Sequence, residues 1–214
     1  MRRPSASRSE SEPVRIDLRA QLKHLYAPTA YEVQVVDVPS MSFLMVDGVG
    51  APEGDGFRSA IQTLYNLAYT IKFGMKKAGL AQFPVMALEG LWASGDSPEG
   101  FDAAARDGWR WTLMIVQPEV VTPRVVSAAA EEVRGKGKPL GEFRFESFHE
   151  GLSAQLLHIG PYSAEAPTIE RVRDFMRQRG YSPNGRHHEI YLGDPRRAAP
   201  SKLRTILRRP IRPS

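Results

Sequence analysis

The sequence contains no cysteine, which excludes disulfides, thiolate metal sites and a cysteine nucleophile. It also has no apolar run near the ~20 residues that a membrane-crossing helix needs. Its N-terminus is basic and polar and lacks the hydrophobic segment of a signal peptide. These absences predict a soluble protein of the cytoplasm with no membrane partner.

Several catalytic signatures are missing as well. The sequence has no G-x-S-x-G nucleophile turn, no H-E-x-x-H zinc helix and no phosphate-binding loop that ends in Lys and Ser or Thr. The neighbouring His187 and His188 would point to opposite faces of a strand, so they cannot share a metal ion. We therefore expect neither a metal nor another cofactor.

Acidic residues are absent from the C-terminal segment. Residues 196–214 carry seven Lys or Arg, and residues 1–24 carry six, with three Asp or Glu. The body between them, 25–195, holds 16 basic and 21 acidic residues, so the net charge of +5 comes from the termini. Residues 1–24 are predicted to form a flexible basic tail, and only this tail is a candidate for contact with nucleic acid.

The 214 residues, 42% of them hydrophobic, can bury a sizeable core. Patterns of β-forming and alternating residues predict eight strands, at 31–37, 41–49, 85–93, 109–117, 143–148, 152–159, 187–192 and 202–209. Helical spacing predicts helices at 57–77, about 122–135 and about 164–179. The second helix should start at Thr122-Pro123, a cap followed by a proline in the first turn, and end at Gly135. The segment 94–108 has the composition of a loop.

The predicted elements repeat, because two strands, a helix and two strands occur at about 25–120 and again at 140–211. The helix at about 122–135 connects the copies, and Glu89 takes the place of Glu189. We predict an α+β fold of duplicated strand-helix-strand-strand units with pseudo-two-fold symmetry. The helices would cover one side of the sheets, and a ligand cleft would lie on the other. Since the duplication supplies symmetry internally, we expect a monomer.

The strand at 187–192 carries the leading candidate for a site. Alternation places His187, Glu189 and Tyr191 on one face of this strand. A carboxylate among aromatic rings can pair with a cationic ligand, or burial can raise its pKa so that it acts as a general base. The alternative is a salt bridge from Glu189 to Arg196 or Arg197.

Aromatic residues provide further candidates for ligand contacts. Two tyrosines lie one helical turn apart on the 57–77 helix, and the three tryptophans gather at the ends of the 94–108 loop. Core packing is the alternative for each of them. The candidate ligand-binding residues besides Glu189 and Tyr191 are Tyr65, Tyr69, Trp92, Trp109, Trp111, His158 and Tyr162.

The segments HIGPYS, from His158, and HEIYLGDPRR, from His188, resemble the standalone GyrI-like small-molecule-binding proteins. The resemblance extends from about Tyr26 to Pro210. It implies a cleft that binds bulky, aromatic and often cationic compounds, with Glu189 at its floor. The ligand-binding domains of multidrug-sensing transcription regulators are similar, and so are hydrolases that open the ring of cyclopropanoid compounds.

Three functions stay open at this point. In a cyclopropanoid hydrolase, Glu189 would activate water while Tyr191 or Tyr162 stabilised the developing phenolate. A protein that sequesters or senses drugs would use the same cleft without turnover. A protein that protects gyrase by contact is the third, and the basic termini disfavour it.

Overall fold

The computed structural model describes residues 12–94 and 108–214. In chain order its elements are β1 (Val14–Arg15), α1 (Leu18–Gln21), α2 (Lys23–Tyr26), β2 (Gln34–Val49), α3 (Asp55–Lys77), β3 (Ala81–Gln82), β4 (Leu88–Ser94), β5 (Trp109–Gln117), α4 (Pro123–Gly135), β6 (Arg144–Ile159), α5 (Ala166–Arg179), β7 (Tyr181–Pro183), β8 (His187–Tyr191) and β9 (Arg204–Pro213). The result is a mixed α and β fold.

The long strands close into a barrel. Their order is β6-β2-β5-β4-β8-β9, and β6 also pairs with β9, so these six strands form a ring. Every pairing in the ring is antiparallel. Closure gives each of these strands a neighbour on both sides, which removes the exposed edges of an open sheet.

Helices α3 and α5 cover the outer face of the barrel. Phe57 of α3 stacks on Trp92 of β4, with 5.7 Å between ring centroids. Helix α5 buries Val172 and Met176 against Leu156 of β6. The other face of the strands is the barrel interior, which buries Leu91, Ile190 and Ile206 together with the charged Arg208.

Glu189 lies on the face that carries the helices. The cross-strand register runs Leu156–Leu207–Glu189–Gly90, and directly paired residues project to the same face of a sheet. Trp92, two residues beyond Gly90, shares this face. The predicted placement of helices and cleft on opposite sides is therefore corrected, because barrel closure fills the side without helices.

In two places, a pair of strands predicted separately forms one continuous strand. The strands predicted at 31–37 and 41–49 form one 16-residue strand, β2, and those at 143–148 and 152–159 form β6, also of 16 residues. The two long strands pair with each other on both sides of the predicted breaks, with Val38 opposite Gly151 and Ser40 opposite His149. Both strands continue through these positions instead of ending.

The predicted order of elements recurs along the chain. A long strand, a helix, a two- or three-residue strand and two further strands occur as β2-α3-β3-β4-β5 and as β6-α5-β7-β8-β9. The predicted equivalence of Glu89 and Glu189 is wrong, because their side chains lie on opposite faces of the sheet. Gly90 pairs with Glu189 and shares its outer face, whereas Glu89 pairs with Ile190. Adjacent residues of a strand point to opposite faces, so Glu89 points into the barrel.

The N-terminal part differs from the expected tail. Within the predicted tail 1–24, residues 12–24 include β1, which pairs in parallel with β3, and α1. Residues 1–11 and most of the predicted 94–108 loop lie outside the described residues. In the part that the structure covers, no helix has the length and apolarity that crossing a membrane requires.

Candidate ligand-binding and catalytic site

Glu189 is a buried carboxylate held by its neighbours on β8. Its Oε2 accepts a hydrogen bond from the Tyr191 hydroxyl at 2.7 Å, and its Oε1 lies 3.2 Å from Nε2 of His187. Only 8% of the residue is exposed. Alternation along the strand correctly placed these three side chains together. The alternative salt bridge to Arg196 is not present, because Arg196 pairs with Asp194 at 2.9 Å.

Tyr191 positions Glu189 and is itself positioned by Trp92. The indole Nε1 of Trp92 donates to the Tyr191 hydroxyl at 3.1 Å, and this hydroxyl donates onward to Glu189. Burial and the Glu189 charge raise the pKa of Tyr191 well above its ordinary value. The glycine opposite Glu189 leaves space for these two consecutive hydrogen bonds, since a Cβ on Gly90 would lie 2.8 Å from Trp92 Nε1.

His187 supports Glu189 as a neutral ring. Burial lowers the pKa of His187 against the opposing effect of Glu189. A carboxylate oxygen can only accept a hydrogen bond, so the neutral His187 ring carries its hydrogen on Nε2, and Nε2 donates to Glu189. Glu189 is therefore hydrogen-bonded on both oxygens, but in the described residues no Lys or Arg forms an ion pair with it.

Two residues in front of α5 complete the polar part of the site. The ring of Tyr162 meets that of Tyr191 edge-on at 5.6 Å and is 38% exposed. Burial and the charge of Glu165 raise the pKa of Tyr162 to about 12. Glu165 itself is 5% exposed, and burial together with the Glu189 charge raises its pKa to about 9.

Sequence reasoning missed Glu165. It stands at the start of the predicted 164–179 helix, where an acidic residue is ordinary because it complements the helix dipole. The only signal was its position three residues after Tyr162, in the segment that carries the HIGPYS motif. Its burial depends on the packing of α5 against the barrel, which local sequence patterns do not report.

The two α3 tyrosines differ in how far they are buried. The rings of Tyr65 and Tyr69 stack at 6.0 Å, and those of Tyr69 and Phe73 at 6.1 Å. Tyr65 is half-buried, and burial, then the neighbouring Tyr69 and Asp194, raise its pKa. Tyr69 and Phe73 are 45% and 57% exposed, so they lie on the outer surface of the helix.

The tryptophans separate into two groups. Trp109 is partly buried and meets Trp92 edge-on at 5.3 Å, so both belong to the aromatic wall beside Tyr191. Trp111 instead lies flat on the backbone of Gly48, where a Cβ would come within 2.1 Å of its ring. Its Nε1 donates to the carbonyl of Gly50 at 3.2 Å. The structure thus uses Trp111 for packing.

His158 also has a packing environment. Its Nδ1 lies 2.9 Å from the Thr168 hydroxyl, and its Nε2 lies 3.2 Å from the carbonyl of Pro161. Both ring nitrogens therefore have partners that anchor the start of α5 to β6. Of the predicted site residues, Trp92, Tyr162, Glu189 and Tyr191 form one contact group, with Trp109 behind it.

Residues 31–212 match the family model described as the GyrI-like small molecule binding domain. The chain belongs to this GyrI-like family. An uncharacterized conserved protein from Listeria innocua is 40% identical, with 92% of this chain and 100% of that chain aligned and a TM-score of 0.85. A Listeria innocua protein described as a hydrolase is 38% identical over the same shares, with a TM-score of 0.82.

More distant structures share the GyrI-like fold. The C-terminal domain of EcmrR aligns with 86% of this chain and 99% of its own length, at 11% identity and a TM-score of 0.51. At this identity the likeness shows the fold alone. No curated protein sequence matches the chain.

The arrangement in this GyrI-like domain supports two kinds of chemistry. A buried carboxylate with aromatic neighbours attracts a cationic or electron-poor ligand. The same carboxylate, held by a phenol and a neutral imidazole, can accept a proton from water. Both uses place the ligand on the outer face of the barrel, near the starts of α3 and α5.

Proposed function

We propose that this protein hydrolyses cyclopropanoid electrophiles that it binds at Glu189. The observation that carries the proposal is the buried Glu189 carboxylate, fixed by Tyr191 and neutral His187 and without a cationic partner in the described residues. Such a group is poised to take a proton. The Listeria innocua relative described as a hydrolase supports the same class of reaction.

In the proposed reaction, Glu189 removes a proton from a water molecule. The water oxygen then attacks a carbon of the strained ring, and the ring bond breaks as its electron pair moves into a conjugated ketone. The product is an alcohol with a phenolate. No covalent intermediate with the protein is needed.

Of the two phenols considered for the developing phenolate, Tyr162 fits better than Tyr191. The proton of Tyr191 is engaged by Glu189, and moving it would release the carboxylate from its position. Tyr162 is partly exposed, and in the described part of the chain its hydroxyl has no hydrogen bond. We assign Tyr191 to positioning Glu189, with Tyr65, Trp92 and Trp109 as aromatic contacts for the ligand.

Binding without turnover is the second candidate function. The uncompensated charge of Glu189 favours it, because a lipophilic cation would supply the partner that Glu189 lacks among the described residues. This protein would then sequester or sense drugs. We also infer that it acts as a monomer of two duplicated halves, which the recurring element order supports.

The test is incubation of the purified protein with a spirocyclopropyl cyclohexadienone, followed by mass detection of the water adduct. We expect Glu189→Gln to lower the rate of adduct formation by about 10²-fold or more, the usual contribution of a general base. Glu146→Gln, which alters an exposed acid on β6, is the matched control and should leave the rate unchanged.

An equal rate for Glu189→Gln and wild type would refute its role as the base. If the wild type forms no adduct but the compound quenches tryptophan fluorescence, binding without chemistry is the correct function.

A further inference from the structure

Glu165 is a second buried carboxyl beside Glu189, and it has no structural task in its helix. It is the residue before α5, where side-chain oxygens often accept hydrogen bonds from the first amides of a helix. The Glu165 side chain makes no such bond. Among the described residues, its Oε1 has no hydrogen-bond partner at all.

Thr205 of β9 is a second polar group in the same place. It pairs with Tyr191 across the β8–β9 ladder, so its side chain lies on the face that carries Glu189. The residue is fully buried, and its hydroxyl lies close enough to Glu165 to lower the pKa of that carboxyl. Among the described residues neither Thr205 Oγ1 nor Glu165 Oε1 has a hydrogen bond of ordinary geometry, so both can bond a polar ligand atom.

The groups that face Glu165 come from three elements, and none of those described is a cation. Glu189 and Tyr191 face it from β8, Tyr162 from the turn before α5, and Thr205 from β9. Burial and the Glu189 charge raise the pKa of Glu165 to about 9, although the neighbouring Thr205 hydroxyl lowers it. Glu165 therefore keeps its proton at neutral pH.

We propose that Glu165 is a further catalytic residue of this cleft, the acid that protonates the ligand oxygen while Glu189 acts as the base. This inference rests on the proposed function. It also defines the ligand class, because the substrate needs an acceptor oxygen conjugated to its strained ring. A pair of carboxyls with opposite protonation states is a recurring solution for such acid and base roles.

The proton balance of the reaction closes within this pair. Glu189 takes one proton from water, the water oxygen bonds to the ring carbon, and the broken ring bond supplies electrons to the ketone oxygen. Glu165 gives its proton to this oxygen, so the ring opens to a neutral phenol that carries the new alcohol on its side chain. Transfer of the proton from Glu189 to Glu165 then restores both carboxyls, and no further reactant is consumed.

Glu165→Gln tests the assignment, because an amide keeps the size and a hydrogen-bond donor but cannot give up a proton. We expect turnover of the spirocyclopropyl dienone to fall by about 10²-fold. The loss should shrink for substituted dienones whose phenol products are more acidic, since their rings open without protonation of the ketone oxygen. Glu170→Gln, an exposed acid on α5, is the control and should turn over all of them as the wild type does.

A loss in Glu165→Gln that is the same for every substituted dienone would indicate a structural role and overturn the proposal, as would unchanged turnover. A second readout does not need turnover. In protein labelled with ¹³C-carboxyl glutamate, NMR at pH 7 should show a protonated glutamate that is missing in Glu165→Gln. A spirocyclohexyl dienone, which keeps the ketone but has no strained ring, should shift this signal.

These two readouts separate failure of the proposed function from failure of this inference. If the wild type does not hydrolyse the dienone but the NMR signal is present and shifts, hydrolysis fails while Glu165 is still a proton donor to the ligand oxygen. If no glutamate is protonated at pH 7, or if the spirocyclohexyl dienone leaves the signal unmoved, the inference is wrong whatever the turnover.

Discussion

Two sets of buried acids occupy opposite faces of the strands β4, β8 and β9, and they differ in how their charge is balanced. The outer set contains Glu189 and Glu165. The interior set contains Glu89 and Glu150, the latter on β6. Neighbouring residues on β8 serve both sets, because His187 faces Glu189 and His188 faces the interior acids.

The interior acids are balanced by cations. Arg208 donates to Glu150 Oε2 at 3.1 Å, and His188 lies 2.9 Å from Glu150 and 3.0 Å from Glu89 Oε2. Burial disfavours the charge on Glu150, but His188 and Arg208 outweigh it and hold its pKa at about 2. Burial also disfavours protonated His188, but Glu150 and Glu89 outweigh it and raise its pKa.

The interior network also holds helix α2 against the barrel. Tyr26 donates to Glu89 Oε1 at 2.8 Å, and Arg208 donates to the carbonyl of Leu25 at 2.7 Å. The network therefore holds two parts of the fold together. Among the described residues the outer acids make no comparable link, and the charge of Glu189, which no cation there balances, is the feature that a ligand or a reaction can use.

Arg208→Met should have the largest effect on stability. It removes one of the two cations that stabilise the buried charge of Glu150, and breaking a buried pair from one side typically costs 3–5 kcal/mol. Urea denaturation should show this loss. Arg204→Met, which alters an exposed position on the same strand, should change the free energy of unfolding by less than about 0.5 kcal/mol. A small effect of Arg208→Met would mean that the interior network is not structural.

The stability contributions of the interior and outer acids should depend on pH in opposite directions. The folded pKa of Glu150 lies below its ordinary 4.5, so its contribution is present above that value and is lost as the pH falls towards about 2. The folded pKa of Glu165 lies above 4.5, so its contribution is full below 4.5 and is lost as the pH rises towards about 9. Each pKa unit corresponds to about 1.4 kcal/mol.

Glu165→Gln should therefore flatten the decline in unfolding free energy between pH 4.5 and 9 and leave the acid side unchanged. Denaturant titrations across this range measure both slopes. If the variant declines as steeply as the wild type, Glu165 is not the buried acid that loses stability at alkaline pH.

Local patterns in the sequence were sufficient for much of this structure. Alternation grouped His187, Glu189 and Tyr191, and the Thr122-Pro123 start with the stop at Gly135 correctly bounded α4. These features depend on residues close in sequence. Glu189 lies beside His187 and Tyr191 because residues two apart in a strand project to the same face.

Long-range contacts account for what the sequence did not reveal. The closure of β6 on β9 joins residues about 50 apart along the chain, such as Leu156 and Leu207, and no local period reports it. This closure decides which face is interior, and it leaves Glu189 on the side that carries the helices. It also places Glu89 in a structural network with Tyr26 and His188.

The most direct test of the account is the affinity for ethidium, an aromatic cation, measured by calorimetry at pH 7 for the wild type, Glu189→Gln and Glu89→Gln. Loss of a buried charge that pairs with the ligand should weaken binding roughly tenfold or more, or about 1.4 kcal/mol. We predict this loss for Glu189→Gln, without loss of stability. Glu89→Gln should lower the unfolding free energy and leave the affinity of the folded protein unchanged. Equal affinity of Glu189→Gln and wild type, or an equal loss in both variants, would contradict the division between a ligand face and a structural interior.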